Sequence, residues 1–356
     1  MATTRKLTIL VAPLDWGLGH ASRCIPIIRH YTEEGHRVLL ACNGRSAALL
    51  HAEFPELTLF TDIPDYQVQY PEDENFTWHF IRNAGRLFNV IRRENKWLRK
   101  QLTDLDIDWV ISDNRFGLYH PGVKTFFITH QLFIQAPPLL KQLANLVNHN
   151  YIRRFDVCLV PDFAGNDNLS GALSHGNGIP KNVRYIGPLS RFGNFSGIPG
   201  EDVTFAKSDS IRTTSPQEID HEFVLIISGP EPSRTKFREL LAGIFFSYPK
   251  PSLLIEGRTE SQERNNSGSL HIVSHLPPAA FQKALITSKH VICRSGYSTI
   301  MDLWYLGIKA ILVPTPGQSE QVYLARLHHR QNNHFVLTQD ELSLNSINKL
   351  LSAEVK

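Results

Sequence analysis

The chain has 356 residues, 42% of them hydrophobic and 20% charged, with a formal net charge of +3 at neutral pH. That length exceeds what one hydrophobic core organises, so two domains are expected, and so small a charge excess argues against nucleic acid as a partner. No apolar run approaches the ~18 to 20 residues that a bilayer-spanning helix needs, so no span is expected.

The opening stretch MATTRKLTILVAPL has the outline of a leader peptide, basic residues before an apolar run. The run is short and meets Asp15 and Trp16 without a small-residue cleavage site, so LTILVA (7–12) reads as a first strand. HASRCIPIIRHYTEEG (20–35) follows as a helix closed by Gly35, with Pro26 early enough that its missing N–H costs little. HRVLLAC (36–42), DWVISD (108–113), KTFFIT (124–129) and DVCLVPD (156–162) read as further strands. Near-continuous apolar strands separated by helices predict a parallel sheet covered on both faces.

Between the second and third of these strands, segment 82–100, RNAGRLFNVIRRENKWLRK, carries seven Lys or Arg against one Glu. Leu87, Val90, Ile91, Trp97 and Leu98 fall near helical spacing. Two readings follow: a helix packed on its own domain with a solvated basic face, or a basic amphipathic helix resting on an anionic membrane.

From Gly187 to Glu222 the composition turns to Gly, Pro, Ser and Thr without a helical period. This divides the chain into a domain at 1–187, a linker at 188–221 and a second domain at 222–356, whose last helix is expected to be able to pack back on the first domain. The alternation restarts with EFVLIISG (222–229), PSLLIEG (251–257), LHIVS (270–274), HVICRSG (290–296) and KAILVP (309–314). QERNNSGS (262–269) reads as a mobile loop, and no internal repeat is evident. The fold class is therefore α/β, with two Rossmann-like halves. Cys24, Cys42, Cys158 and Cys293 lie far apart, with neither metal-ligand spacing nor a disulfide framework. They point to a reducing, cytoplasmic setting and to no metal site.

In open α/β sheets ligands gather at the carboxyl ends of the strands. In the first half those ends carry Trp16, Gly17, Gly19 and His20, then Asp113 with Arg115 close behind, then His130. Gly17 and Gly19 allow a sharp turn and leave room beside the backbone. His20 would open the helix, where the positive end of the dipole favours its neutral, base-competent form. Asp113 would hydrogen-bond the imidazole and orient it; as a turn or helix cap in SDN it has an equally good structural reading.

In the second half Ser228 and Gly229 follow the first strand. Arg294, Ser295, Gly296, Tyr297, Ser298 and Thr299 follow the fourth and open a helix ended by Gly307. A helix start after a strand suits a diphosphate. Asp302, one turn beyond Ser298, suits the two hydroxyls of a ribose. Glu320 and Gln321 in PGQSEQVYLA (316–325) suit the vicinal hydroxyls of a sugar, although solvated helix-start residues would look the same.

These stretches together resemble glycosyltransferases of the GT-B fold, closest in pattern to the MurG-like N-acetylglucosaminyltransferases and the UDP-glycosyltransferases. GLGHASRCIPIIRHYTEEGHRV is similar to that superfamily's glycine-rich loop and first helix. HLPPAAFQKALITSKHVICRSGYSTIMDLWYLG is similar to its nucleotide-sugar segment, and EQVYLA to the end of its sugar loop. The resemblance implies two Rossmann-like domains facing each other across a cleft, an acceptor half with His20 as general base and Asp113 as its partner, and a donor half. Trp16, Gly17, Gly19, Arg115 and His130 would meet the acceptor. Ser295 to Thr299 with Arg294 would cradle the diphosphate, Asp302 the ribose, Leu276 the base, Glu320 and Gln321 the sugar.

SGPEPSRTKF (228–237) departs from the pattern, with two prolines where a glycine-rich turn is usual, which moves the phosphate contacts to Gly229, Ser233 or Arg234. Asp302 stands where Glu is usual and Leu324 where Asn is typical. The implied activity is inverting transfer from a nucleotide-diphosphate sugar, UDP-linked and with UDP-GlcNAc in view, with no tightly bound cofactor. The implied acceptor is a glycan, a lipid-linked or a small-molecule hydroxyl. A lipid-linked acceptor would bring 82–100 to the inner face of the membrane. Two alternatives share the architecture: a non-hydrolysing sugar-nucleotide 2-epimerase, for which no cluster of acidic and basic side chains is evident, and a non-catalytic nucleotide-sugar-binding subunit.

Overall fold

The computed structural model describes residues 5–66, 84–135, 138–198, 220–259, 261 and 263–353. They divide into two compact units, an N-terminal one within 5–198 and a C-terminal one within 220–353. Most of the composition-defined linker, 199–219, lies outside the described residues, as do positions 82 and 83 of the basic segment and position 262.

The N-terminal unit runs β1 (Thr8–Pro13), α1 (Leu18–Glu33), β2 (Arg37–Ala41), α2 (Gly44–Glu53), β3 (Thr58–Phe60), α3 (Ala84–Asp104), β4 (Trp109–Asp113), β5 (Lys124–Ile128), α4 (Pro138–Ile152), β6 (Val157–Val160) and β7 (Val183–Tyr185). Its strands form one sheet in the order β3-β2-β1-β4-β5-β6-β7, every pair parallel. Leu10, Leu39 and Val110 are sealed on one face beneath Trp97 and Leu98 of α3. Phe127, Cys158 and Val160 pack with Ile152 and Phe155. Apolar residues at successive strand positions are thus buried on both faces, as a parallel sheet requires.

α1 ends before Gly35, whose φ of +80° is the left-handed turn that closes a helix without a Cβ penalty. Pro26 lies inside α1, beyond its first turn, so one internal helix bond is missing, unlike the low-cost placement expected for it. Residues 190–198 lie on α1: Arg191 Nη2 donates to Ser22 Oγ at 3.1 Å and Phe195 meets His30 edge-on at 5.5 Å.

The C-terminal unit runs β8 (His221–Ile226), α5 (Ser233–Phe245), β9 (Ser252–Ile255), β10 (Arg264–Ser267), β11 (Leu270–Val273), α6 (Pro278–Ile286), β12 (Ser288–Cys293), α7 (Tyr297–Leu306), β13 (Ile311–Leu312), α8 (Ser319–Arg330), β14 (Phe335–Val336) and α9 (Leu344–Ser352). Its sheet order is β10-β11-β9-β8-β12-β13-β14, parallel except for the antiparallel β10–β11 edge. The segment expected as a mobile loop is therefore a hairpin strand. Gly268, with φ +61°, opens its two-residue turn, and Ser267 pairs with Leu270 across it. α9 buries Ile347 in this unit's own core, with Leu344, Leu350 and Leu351 packed on the same cluster.

Candidate functional site

The parallel part of each sheet reverses its strand order once, and the ligand crevice of such sheets opens at that switch point. In the N-terminal unit the reversal lies between β1 and β4, which pair in register so that Pro13 faces Asp113. The chain leaves β1, turns at Gly17 with φ +98°, and starts α1. A Cβ on Gly17 would meet nothing within 4 Å, so this glycine answers a backbone requirement rather than a need for space. His20 sits in the first turn of α1 and Asp113 ends β4, which brings His20 Nδ1 to 2.8 Å from Asp113 Oδ1.

Arg23, one turn further along α1, completes the cluster. Its Nε and Nη2 donate to the two Asp113 oxygens, and Nη1 lies 3.3 Å from Nδ1 of His130. Arg23, Asp113 and His130 are buried, while the His20 side chain keeps 13% of its surface exposed. Burial alone would raise the Asp113 pKa, but the Arg23 and His20 charges beside it outweigh that and hold it at about 2. For His20 burial dominates and lowers the pKa below 6.5, with Asp113 pulling up and Arg23 pushing down. At neutral pH the pair is thus a carboxylate and a neutral imidazole. Nδ1–H donating to Asp113 leaves Nε2 as the basic nitrogen.

Of the other acceptor candidates, His130 is buried beside Arg23, and Trp16 is half-buried and packs with Leu14, Tyr66, Val90 and Ile91. Arg115 does not join them. It is fully buried, donating to Pro13 O at 2.9 Å and Pro64 O at 2.8 Å and pairing with Glu94 Oε1 at 2.9 Å. Its donors are consumed inside the unit, so it is an internal pin rather than an acceptor contact. Tyr66 Oη and the Gly117 amide satisfy the other Glu94 oxygen at 2.6 and 2.9 Å. Only glycine fits at 117, since a Cβ there would lie 2.3 Å from the Ile91 carbonyl of α3.

In the C-terminal unit the reversal lies between β8 and β12, and three loops gather there: 227–232, 294–296 and 313–318. Arg294, expected at the diphosphate, is fully buried over the Phe237 ring, 3.8 Å from its centroid. It donates to the carbonyls of Val313, Pro314 and Ser233 at 3.2 to 3.3 Å and to Gln339 Oε1 at 2.7 Å. Burial lowers its pKa to about 10, which still leaves it charged at neutral pH. Ser295 Oγ donates to the Gln321 carbonyl at 2.8 Å, and Gln321 Oε1 accepts from the Thr315 amide at 2.9 Å. These three side chains tie the loops to one another instead of presenting themselves to a ligand. Tyr297 is buried as well.

What remains toward the crevice is the start of α7, capped by Gly296 without a side-chain hydrogen bond and with no acidic residue in its first turn. Gly229, Ser233, Leu276, Gly296, Ser298, Thr299 and Glu320 are half-buried, and Asp302 is buried. Gly229 has φ +106°. Arg234 is engaged by Glu231 Oε1 at 2.8 Å and by the Glu256 carbonyl at 3.1 Å. Sequence reading missed Thr315, whose buried Oγ1 has no hydrogen-bond partner among the described residues. It also missed Arg23, whose one available signal was its spacing of three from His20, on the same face of a helix.

Residues 258–356 match the glycosyltransferase family 28 C-terminal domain. Along almost its whole length the chain is similar to solved glycosyltransferase structures. The spinosyn rhamnosyltransferase SpnG complexed with thymidine diphosphate shares 14% identity at a TM-score of 0.62, over 98% of this chain and 92% of that one. SnogD from Streptomyces nogalater shares 13% at 0.61, over 98% and 91%. MurG of Acinetobacter baumannii shares 13% at 0.56, over 99% and 91%. No curated protein matches the sequence significantly. The fold is GT-B, and together with the C-terminal domain it supports glycosyltransferase activity.

Proposed function

We propose that this GT-B chain is an inverting glycosyltransferase that moves a sugar from a nucleotide-diphosphate sugar to a hydroxyl acceptor, with His20 as general base. The observation that carries the reading is the His20–Asp113 pair at the switch point of the N-terminal sheet. Neutral His20 Nε2 takes the acceptor proton as the acceptor oxygen attacks the anomeric carbon and the bond to the diphosphate breaks. Asp113 holds the ring and stabilises the imidazolium that forms. The leaving diphosphate gains charge, which the amides and dipole at the start of α7 stabilise, with Ser298 and Thr299 hydroxyls beside them. Asp302 serves the ribose, Leu276 the base, and Glu320 with Thr315 the transferred sugar. No resident cofactor enters the scheme.

UDP is the nucleotide of choice in this reading, with UDP-GlcNAc as the first donor to try. Thermal unfolding against UDP, GDP, TDP and their sugars tests it. A ligand at ~100 times its Kd stabilises by ~2.7 kcal/mol, so UDP or UDP-GlcNAc should raise the midpoint most. A response to none of the nucleotides would refute donor binding.

The reading extends to a lipid-linked acceptor, and with it to peripheral membrane contact. α3 spends its apolar stripe (Val90, Ile91, Trp97, Leu98) on the unit's own core, so that stripe is not available to a bilayer. Its outer face presents Arg86, Arg92, Arg93, Lys96, Arg99 and Lys100. Phe88, 38% exposed, stacks on Tyr151 of α4, whose neighbouring Leu143, Leu146 and Val147 are also exposed. Basic residues near an anionic surface contribute ~1 kcal/mol each. The protein should sediment with phosphatidylglycerol vesicles and not with phosphatidylcholine vesicles, and Arg92→Glu with Arg93→Glu should release it. Equal sedimentation with both, or none with either, would remove the membrane from the scheme.

A further inference from the structure

Asp113 is shared. In a simple His–Asp pair the carboxylate lends its whole charge to the imidazole, but here both of its oxygens also receive Arg23, Nε on Oδ2 and Nη2 on Oδ1. Nη2 also lies 2.9 Å from His20 Nδ1, the nitrogen that faces Asp113. One nitrogen cannot both donate to Oδ1 and accept from Nη2; the ionised carboxylate is the stronger acceptor, so both hydrogens go to it. The groups facing His20 are Asp113 from β4, Arg23 from α1 itself, and His130 after β5, whose Nδ1 takes a hydrogen from Arg23 Nη1. Cys24 Sγ, 3.7 Å from Oδ2, adds no charge, because burial pushes its thiol well above the ordinary range.

We propose that Arg23 is a positioning residue for the His20 base: it clamps both oxygens of Asp113, so that the carboxylate orients the ring through Nδ1–H without holding a permanent positive charge on it. The proposal rests on the transfer reading for its meaning in catalysis, not for its geometry. The sign follows from charge. With Arg23 present, a proton on His20 places two cations around one carboxylate. Without Arg23, the ionised Asp113 faces His20 alone and favours imidazolium, which is no base until it loses its proton.

The test is the titration of His20 by NMR of the ring in wild-type and Arg23→Met protein, alongside the pH profile of transfer. In Arg23→Met, His20 is expected to titrate at a pH higher by about one or more, each such step being a tenfold change in the proton equilibrium. Transfer at pH 7 should then fall by a few-fold and recover as the pH is raised past the new titration, whereas a merely structural loss would persist at every pH. Arg23→Lys, which keeps the cation without the fork, should leave the titration low.

An unmoved His20 titration in folded Arg23→Met protein would overturn the proposal. A raised titration with an unmoved transfer profile would keep Arg23 in its role and instead remove His20 as the base. Should Arg23→Met not fold, the wild-type ring nitrogens decide: a proton on Nδ1 alone at pH 7 supports the clamp, and a proton on Nε2, with or without one on Nδ1, overturns it.

Discussion

His20→Ala should abolish sugar transfer while donor binding persists. General base catalysis contributes roughly 10²- to 10⁴-fold, and the variant loses that without touching the C-terminal unit, to which the proposed scheme assigns donor binding. His20 lies in the first turn of a helix anchored by Ile25, Ile27 and Ile28, and its own side chain is partly exposed, so its removal leaves the core of α1 in place. Calorimetry with UDP and release of UDP in the presence of acceptor separate the two properties. Unchanged transfer would refute the role of His20. Loss of both properties together would point to a structural defect and refute the division of labour between the two units.

Glu94→Ala should destabilise the N-terminal unit by ~3–5 kcal/mol, the range for removing one partner of a buried ion pair. Glu94 and Arg115 are both fully buried, and the carboxylate also accepts from Tyr66 Oη and the Gly117 amide. Alanine leaves the Arg115 guanidinium uncompensated and two donors unmet. Replacing both partners, Glu94→Leu with Arg115→Met, should recover part of the loss, since a buried pair can often be exchanged for apolar side chains of similar volume. Recovery stays partial because the Pro13 and Pro64 carbonyls lose their donor. Urea unfolding measures both variants. A loss below ~1 kcal/mol for Glu94→Ala would show that the pair is not the pin described above.

The positions of the long buried strands were legible because their apolar runs are unbroken: 7–12, 36–42, 108–113 and 124–129 correspond to β1, β2, β4 and β5. β10 was missed because it is a polar edge strand, Arg264 to Ser267, whose pairing with β11 leaves no apolar alternation to read. His20 and Asp113 were singled out because strand ends in α/β sheets are where ligands gather, and the sheet order sets the two side by side. Arg115 and Arg294 were misassigned for one shared reason. A cation beside a strand end reads as a ligand contact, and the buried carbonyls that consume its donors come from loops distant in the chain, which no local pattern reveals. Arg23 was overlooked because a helical arginine in an otherwise apolar stretch has an ordinary surface reading until Asp113 is seen beneath it.

Transfer under the proposed scheme is a single displacement at the anomeric carbon. The most direct test is proton NMR of the sugar during incubation of wild-type protein with UDP-GlcNAc and a panel of glycan, lipid-linked and small-molecule acceptors. The expected result is an acceptor-dependent product whose anomeric configuration is inverted relative to the donor. A product with retained configuration, or a donor sugar that changes at C2 with no acceptor present, would contradict it.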